Sequence, residues 1–177
     1  KYYGNTSVQS QGASRKARMD AGEARGTRGS FADRGPALRD EETMAEALLR
    51  LGIRHGLVVH GQDGLDEVTT TGPTKGYEIR EGRLADWRCD PTEFGIAQAQ
   101  LQQVQGGDAA VNAKIAQSVL SGQPSANHDI IMLNAGCAIY AADRADTLAE
   151  GIAQARKALQ RGDALSVLER VKELTHA

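Results

Sequence analysis

Asp63, Asp66 and Glu67 bring three carboxylates into five residues, in a stretch opened by Gly61 and Gly64 and closed by Gly72-Pro73-Thr74. Adjacent acids supply hard oxygen ligands. They suit magnesium, which takes one or two carboxylates and leaves its other positions to water and substrate phosphate. The other reading is a solvated acidic turn, since Asp and Gly favour turns by their own chemistry. In an extended segment Asp66 and Glu67 would point to opposite faces, so a shared ion requires the loop to curl. His60 immediately precedes the stretch and could act there as a base or a ligand, or as a structural hydrogen-bonder. Thr70 and Thr71 could offer hydroxyls to a phosphate, although Val68–Thr71 also reads as a β-prone segment.

The elements around this loop follow from apolar periodicity. Leu57 to His60 is a short run rich in β-branched residues, which predicts a strand covered on both faces. Open α/β sheets place ligands beyond the carboxyl ends of such strands. Upstream, Thr43 and Glu46 form a capping box, with Met44, Ala47, Leu48 and Leu51 at helical spacing before Gly52. This αβ unit is the repeat of a doubly wound sheet. Downstream, Tyr77–Arg80 and Arg83–Trp87 flank Glu81-Gly82 and predict an antiparallel hairpin, with Trp87 as a packing residue.

From Asp90-Pro91-Thr92-Glu93 the chain reads as helical. Asp108 caps a helix with Val111, Ile115 and Val119 on one face. Asp129 opens a helix, Ile130 to Ala142, that is apolar nearly all round and therefore buried. Asn134 inside it must find a hydrogen bond. Thr147 and Glu150 cap a helix lined by Leu148, Ile152, Ala155 and Leu159. Asp163 starts a last one with Leu165, Leu168 and Val171 inward. His55, His128 and His176 fall in connecting or terminal positions.

Composition excludes several functions. The 177 residues carry a net charge of −2, which gives no global basic signal for nucleic acid. No run approaches the roughly 18 apolar residues of a membrane helix. Phosphate-loop, dinucleotide, nucleophile-elbow and zinc-protease motifs are absent from the sequence. Cys89 and Cys137 lack the spacing of a zinc site and read as reduced thiols of a cytoplasmic protein. Residues 1–42 read as a disordered or non-native leader, because Val8 and Leu38 are the only Leu, Ile or Val among them. The folded part is expected at 43–177.

Val58-Val59-His60-Gly61, Gly64-Leu65-Asp66-Glu67 and Gly72-Pro73-Thr74 resemble the C-terminal half of anthranilate phosphoribosyltransferase. The likeness continues in order through Pro91-Thr92-Glu93-Phe94-Gly95, Gly106-Gly107-Asp108-Ala109-Ala110-Val111-Asn112-Ala113, Leu133-Asn134-Ala135 and Ala145-Asp146-Thr147-Leu148-Ala149-Glu150-Gly151. The resemblance implies an α/β fold: the C-terminal half of a phosphoribosyltransferase or nucleoside phosphorylase type domain, with an antiparallel hairpin and a C-terminal helical run. It implies phosphoribosyl pyrophosphate and anthranilate as substrates in tryptophan synthesis, and Asp66 and Glu67 as ligands of Mg2+. It also implies a cytoplasmic homodimer whose dimer-building helical domain does not match any part of this chain.

Lys1, Gly4 and Asn5 resemble that family's Lys-His-Gly-Asn donor loop out of register, with Tyr3 in place of histidine, and no role is carried over to them. The leader reads as a shifted frame or deletion scar, and the chain alone as weakly active or inactive. Two alternatives are a nucleoside phosphorylase-like enzyme of the same fold and a non-catalytic fragment that binds another chain through a bare sheet edge.

Overall fold

A computed structural model describes the backbone of residues 7–10 and 36–175, and side chains from Asp40 to Thr175. Of the leader expected over residues 1–42, residues 7–10 form a strand and 36–42 the start of a helix; the rest, with the loop resemblance at Lys1, Gly4 and Asn5, lies outside the described residues.

Helix α1 spans Pro36–Arg50. It starts well before the expected Thr43 cap, with proline at the first position, where its missing N–H costs nothing. Thr43 is therefore an exposed mid-helix residue. The inward face is also shifted by one from the expected Met44, Ala47, Leu48 and Leu51. Ala45 is fully buried and Leu48 and Leu49 pack beside it, while Ala47 and Leu51 face outward. Gly52, at φ 85°, ends the helix through its N–H to the Leu49 carbonyl.

Strands β1 (Ser7–Ser10), β2 (His55–Gly61), β3 (Thr74–Arg80) and β4 (Arg83–Cys89) form one sheet in that order. Every ladder among them is antiparallel. The strand expected at Leu57–His60 is present and longer, but it does not join a parallel, doubly wound repeat. Residues 62–73 reverse the chain, so β3 returns beside β2 with Gly61 opposite Thr74 and His55 opposite Arg80. The β3–β4 hairpin forms as the sequence predicts. Glu81 and Gly82 both hold positive φ, 50° and 73°, the twist that suits a two-residue connection. β4 is an edge strand with Arg83, Asp86 and Arg88 exposed, charges that discourage further pairing. Val68–Thr71 does not form a strand. It stays in the irregular connection.

After a short 3₁₀ turn at Pro91–Phe94, capped by Asp90, come α2 (Leu101–Val104), α3 (Ala109–Leu120), α4 (Ala126–Ala141), α5 (Leu148–Arg161) and α6 (Asp163–Thr175). Asp108 caps α3 as expected, its carboxylate accepting from Val111 N. The cap of α4 is Ser125 rather than Asp129, which sits in the first turn. α4 is buried along much of its length, and it touches α5 so closely that a Cβ on Gly136 would lie 2.6 Å from Ile152 Cγ1.

The alternation of β2 divides the core. Leu57 and Val59 join Leu133, Cys137, Ile152, Ala155 and Leu159 under the C-terminal helices. Val58 faces α1 with Ala45, Tyr77 and Ile79. Trp87 packs at the edge of the larger cluster, as expected. Two expected apolar stripes are only half used. In α3, Val119 is buried but Val111 is 45% exposed. In α6 no residue is buried, and Val171 is 48% exposed. α3 packs on the core through Ile115, Val119 and Leu120, and α6 through Ala164.

Candidate functional site

β2 delivers the chain at Gly61 into a closed loop. Gly61 donates its N–H to the Leu65 carbonyl at 2.9 Å, and Gly64 donates back to the Gly61 carbonyl at 3.0 Å. Gly64 is in the left-handed region at φ 91°, where glycine carries no steric cost. A Cβ on Gly61 would collide with Asp63 Oδ1 and lie 3.2 Å from Thr69 Cγ2. The loop curls, so the objection that Asp66 and Glu67 must face opposite ways does not apply.

Asp63 closes the curl. Its Oδ1 accepts from Leu65 N at 3.1 Å, and its Oδ2 accepts from the hydroxyls of Thr69, at 2.6 Å, and Thr71. Burial alone would raise this carboxyl. The hydrogen bonds from Thr69, Thr71 and Leu65 outweigh burial and hold it below its ordinary range. The Thr69 N–H in turn donates to Thr74 Oγ1 at 2.9 Å, tying the loop to the start of β3. The hydroxyls that the sequence offered to a phosphate are thus divided. Thr71 is spent on Asp63, and Thr70 Oγ1 is buried with no hydrogen-bond partner.

Asp66 and Glu67 sit at the bend of the same loop, partly buried. The Glu67 carboxyl is raised above its ordinary range, first by burial and then by the negative charges of Asp66 and Asp63. Among the described residues no group of three or more His, Cys, Asp and Glu side chains has the arrangement of a metal cage. With Asp63 committed to the threonines, two crowded acids are left. That donor set fits an ion that takes one or two carboxylates and fills its shell with water and phosphate oxygens.

His60 does not join them. It is 22% exposed, and its Nδ1 lies 3.6 Å from Glu41 Oε1 on α1, too far for a hydrogen bond. Glu41 is only 2% exposed, and its Oε2 has no hydrogen-bond partner. His55, expected in a plain connection, is the first residue of β2 and 2% exposed. Its Nδ1 lies 2.6 Å from Asp143 Oδ1 and its Nε2 3.2 Å from Glu78 Oε1, which also accepts from Tyr140 OH at 2.6 Å. This network lies at the opposite end of β2 from the acidic bend. No signal in the sequence marked it, because its members are spread from residue 55 to residue 143.

Residues 39–165 match the family model described as "Glycosyl transferase family, a/b domain". The chain belongs to this glycosyl transferase family. Curated members similar to it include the anthranilate phosphoribosyltransferases of Symbiobacterium thermophilum, 43% identical over 135 residues, and Paramagnetospirillum magneticum, 41% identical over 156 residues. These matches cover 76% and 88% of this chain but 40% and 44% of the relatives. The glycosyl transferase chain therefore spans less than half the length of the curated relatives it matches.

Its fold is similar to part of the crystal structure of anthranilate phosphoribosyltransferase from Thermus thermophilus, at a TM-score of 0.71 and 36% identity over 81% of this chain and 41% of that one. It is also similar to the Saccharomyces cerevisiae enzyme in complex with PRPP and Mg, at a TM-score of 0.58 and 28% identity over 64% of this chain and 33% of that one. The resemblance read from the motifs thus holds for the family and for the mixed α/β architecture. Among the described residues no helix of this family member is long and apolar enough to cross a membrane.

Proposed function

We propose that this chain is the C-terminal part of an anthranilate phosphoribosyltransferase, which moves a phosphoribosyl group from phosphoribosyl pyrophosphate to the amine of anthranilate in tryptophan synthesis. One observation carries the reading. The stretch matched to the family, residues 39–165, contains the curled loop in which Asp66 and Glu67 are crowded, with the Glu67 carboxyl raised by burial and by the charges of Asp66 and Asp63. In the transfer a bond forms between the amine nitrogen and ribose C1 as the C1–O bond to pyrophosphate breaks. The departing group gathers dense negative charge, which must be neutralised for it to leave.

Asp66 and Glu67 would hold Mg2+ toward that diphosphate, and the bound ion would supply the positive charge. Asp63, Thr69 and Thr71 keep the bend closed so that the two acids present together. The yeast neighbour, a complex with PRPP and Mg, supports Mg2+ as the ion. The whole enzyme is proposed to be a cytoplasmic homodimer; the buried, unpaired Cys89 and Cys137 bear on the compartment alone. Of residues 1–42, the described segments 7–10 and 36–42 belong to the sheet and to α1, so only the remainder is proposed to lie outside the catalytic fold. Turnover belongs to the whole enzyme, and the 177-residue chain alone should show little or none.

The test is calorimetric titration of the chain with phosphoribosyl pyrophosphate in the presence and absence of Mg2+, beside Asp66→Asn and a fluorescence assay of anthranilate consumption. Donor binding that depends on Mg2+ and weakens in Asp66→Asn supports the reading. Binding indifferent to both would remove the pair from the site, and robust turnover would overturn the partial-enzyme assignment.

A further inference from the structure

Glu67 is followed by Val68, a fully buried residue with no strand partner at its backbone. Its backbone is paired all the same. The Val68 N–H donates to Asn134 Oδ1 at 3.0 Å, and Asn134 Nδ2 donates to the Val68 carbonyl at 2.7 Å. The same Nδ2 donates to the Ile130 carbonyl, one turn back on α4, at 2.9 Å. A side-chain amide thus does for Val68 what a neighbouring strand would do, using both its acceptor and its donors.

We propose that Asn134 is a positioning residue for the Asp66–Glu67 pair, acting through Val68. The inference rests on the reading of that pair as the cation site. The Val68 nitrogen belongs to the peptide unit that begins at the Glu67 carbonyl carbon. Fixing that nitrogen fixes the Glu67 ψ angle and so the direction from which its carboxylate leaves the chain. Asp63, Asp66 and Glu67 place three carboxyl groups within five residues of this loop, and like charges so close oppose its closure.

α4 is a suitable anchor. Near its middle Gly136 lies against Ile152 of α5, and at its far end Tyr140 donates to Glu78 on β3 while Asp143, just beyond, meets His55 on β2. The helix is thereby fixed against both α5 and the sheet, and Asn134 passes that rigidity to the acidic bend. A preformed bend lowers the ordering cost of binding, which raises affinity without any new contact to the ion.

The experiment titrates the 177-residue chain with Mn2+ in the presence of inorganic pyrophosphate, read by electron paramagnetic resonance. Amide hydrogen exchange over residues 62–73 is measured on the same samples. Asn134→Ala should weaken Mn2+ binding about tenfold, the scale of an outer-shell loss, and speed exchange in that segment. Asn134→Ser keeps a hydroxyl for the Ile130 carbonyl but is too short for Val68, so it should show the same loss if the alanine variant does not fold. Val119→Ala, a core truncation on α3, should lower the melting temperature and leave Mn2+ affinity unchanged.

Unchanged Mn2+ affinity in folded Asn134→Ala or Asn134→Ser, where Asp66→Asn does weaken it, would overturn the proposal and leave the metal reading standing. No Mn2+ binding to the unsubstituted chain would overturn the metal reading and this role together.

Discussion

His55 Nδ1 and Asp143 Oδ1 are 2.6 Å apart, joining the first residue of β2 to the turn that follows α4. Asp143 also holds φ at 51°, a left-handed conformation that costs most side chains on the order of 1–2 kcal/mol and that Asn and Asp tolerate best. Its side chain and its backbone therefore make separate demands. Asp143→Asn keeps an acceptor and the tolerance, and should cost about 1 kcal/mol or less. Asp143→Gly loses the contact to His55 but relaxes the backbone, at about 2 kcal/mol. Asp143→Ala loses both, at about 3 kcal/mol. Urea denaturation of the three variants checks the order. Alanine no worse than glycine would show that the backbone is not strained there.

Gly61 and Gly64 should respond to alanine for different reasons. At Gly61 the new methyl meets Asp63 Oδ1, the acceptor of the Leu65 N–H, so the carboxylate must shift and disturb the hydrogen bonds from Leu65, Thr69 and Thr71 together. The expected loss is about 1–3 kcal/mol, with faster exchange through the loop. At Gly64 nothing lies within 4 Å of the added carbon, and only the φ of 91° opposes it. That substitution should cost about 1–2 kcal/mol and leave Asp63 in place. Equal exchange rates over residues 62–73 in the two variants would show that the Asp63 contacts do not close the curl.

Glu41 predicts a pH dependence. Its carboxyl is raised above 4.5, first by burial, with the His60 charge opposing. A raised acid means that the folded chain binds this proton more tightly than the unfolded one. Its penalty is then present above the raised value and fades as pH falls toward 4.5. Glu41→Met removes the buried charge and the unpartnered Oε2, and should stabilise the chain by roughly 1 kcal/mol at about pH 7. The gain should shrink near pH 4.5, as chemical denaturation at the two pH values would show. A loss of stability at neutral pH would mean that the carboxylate has a favourable partner stronger than His60.

Local elements were legible in the residues alone, and so was the acidic pair proposed as the cation site. A short apolar run rich in β-branched residues marked β2, Glu81-Gly82 marked the hairpin, and Asp108, Thr147 and Gly162 marked helix ends, because each depends on a few adjacent residues. Asp66 and Glu67 stood out for the same reason. The limits of local reading appear at α1. A capping box at Thr43 fits the pattern, yet the helix runs through it from Pro36, and the buried face is one residue off because contact with Val58, Tyr77 and Ile79 decides it.

The remainder was settled by contacts between distant segments. Which strand pairs with β2, and in which direction, depends on where residues 62–73 turn the chain. Whether two consecutive acids can share a ligand depends on Asp63 reaching Thr69 and Thr71. Whether their bend stays shut depends on Asn134 reaching Val68 from 66 positions away. Hydrogen bonds of such separation leave no trace in spacing or composition, since the chain must fold before the partners meet.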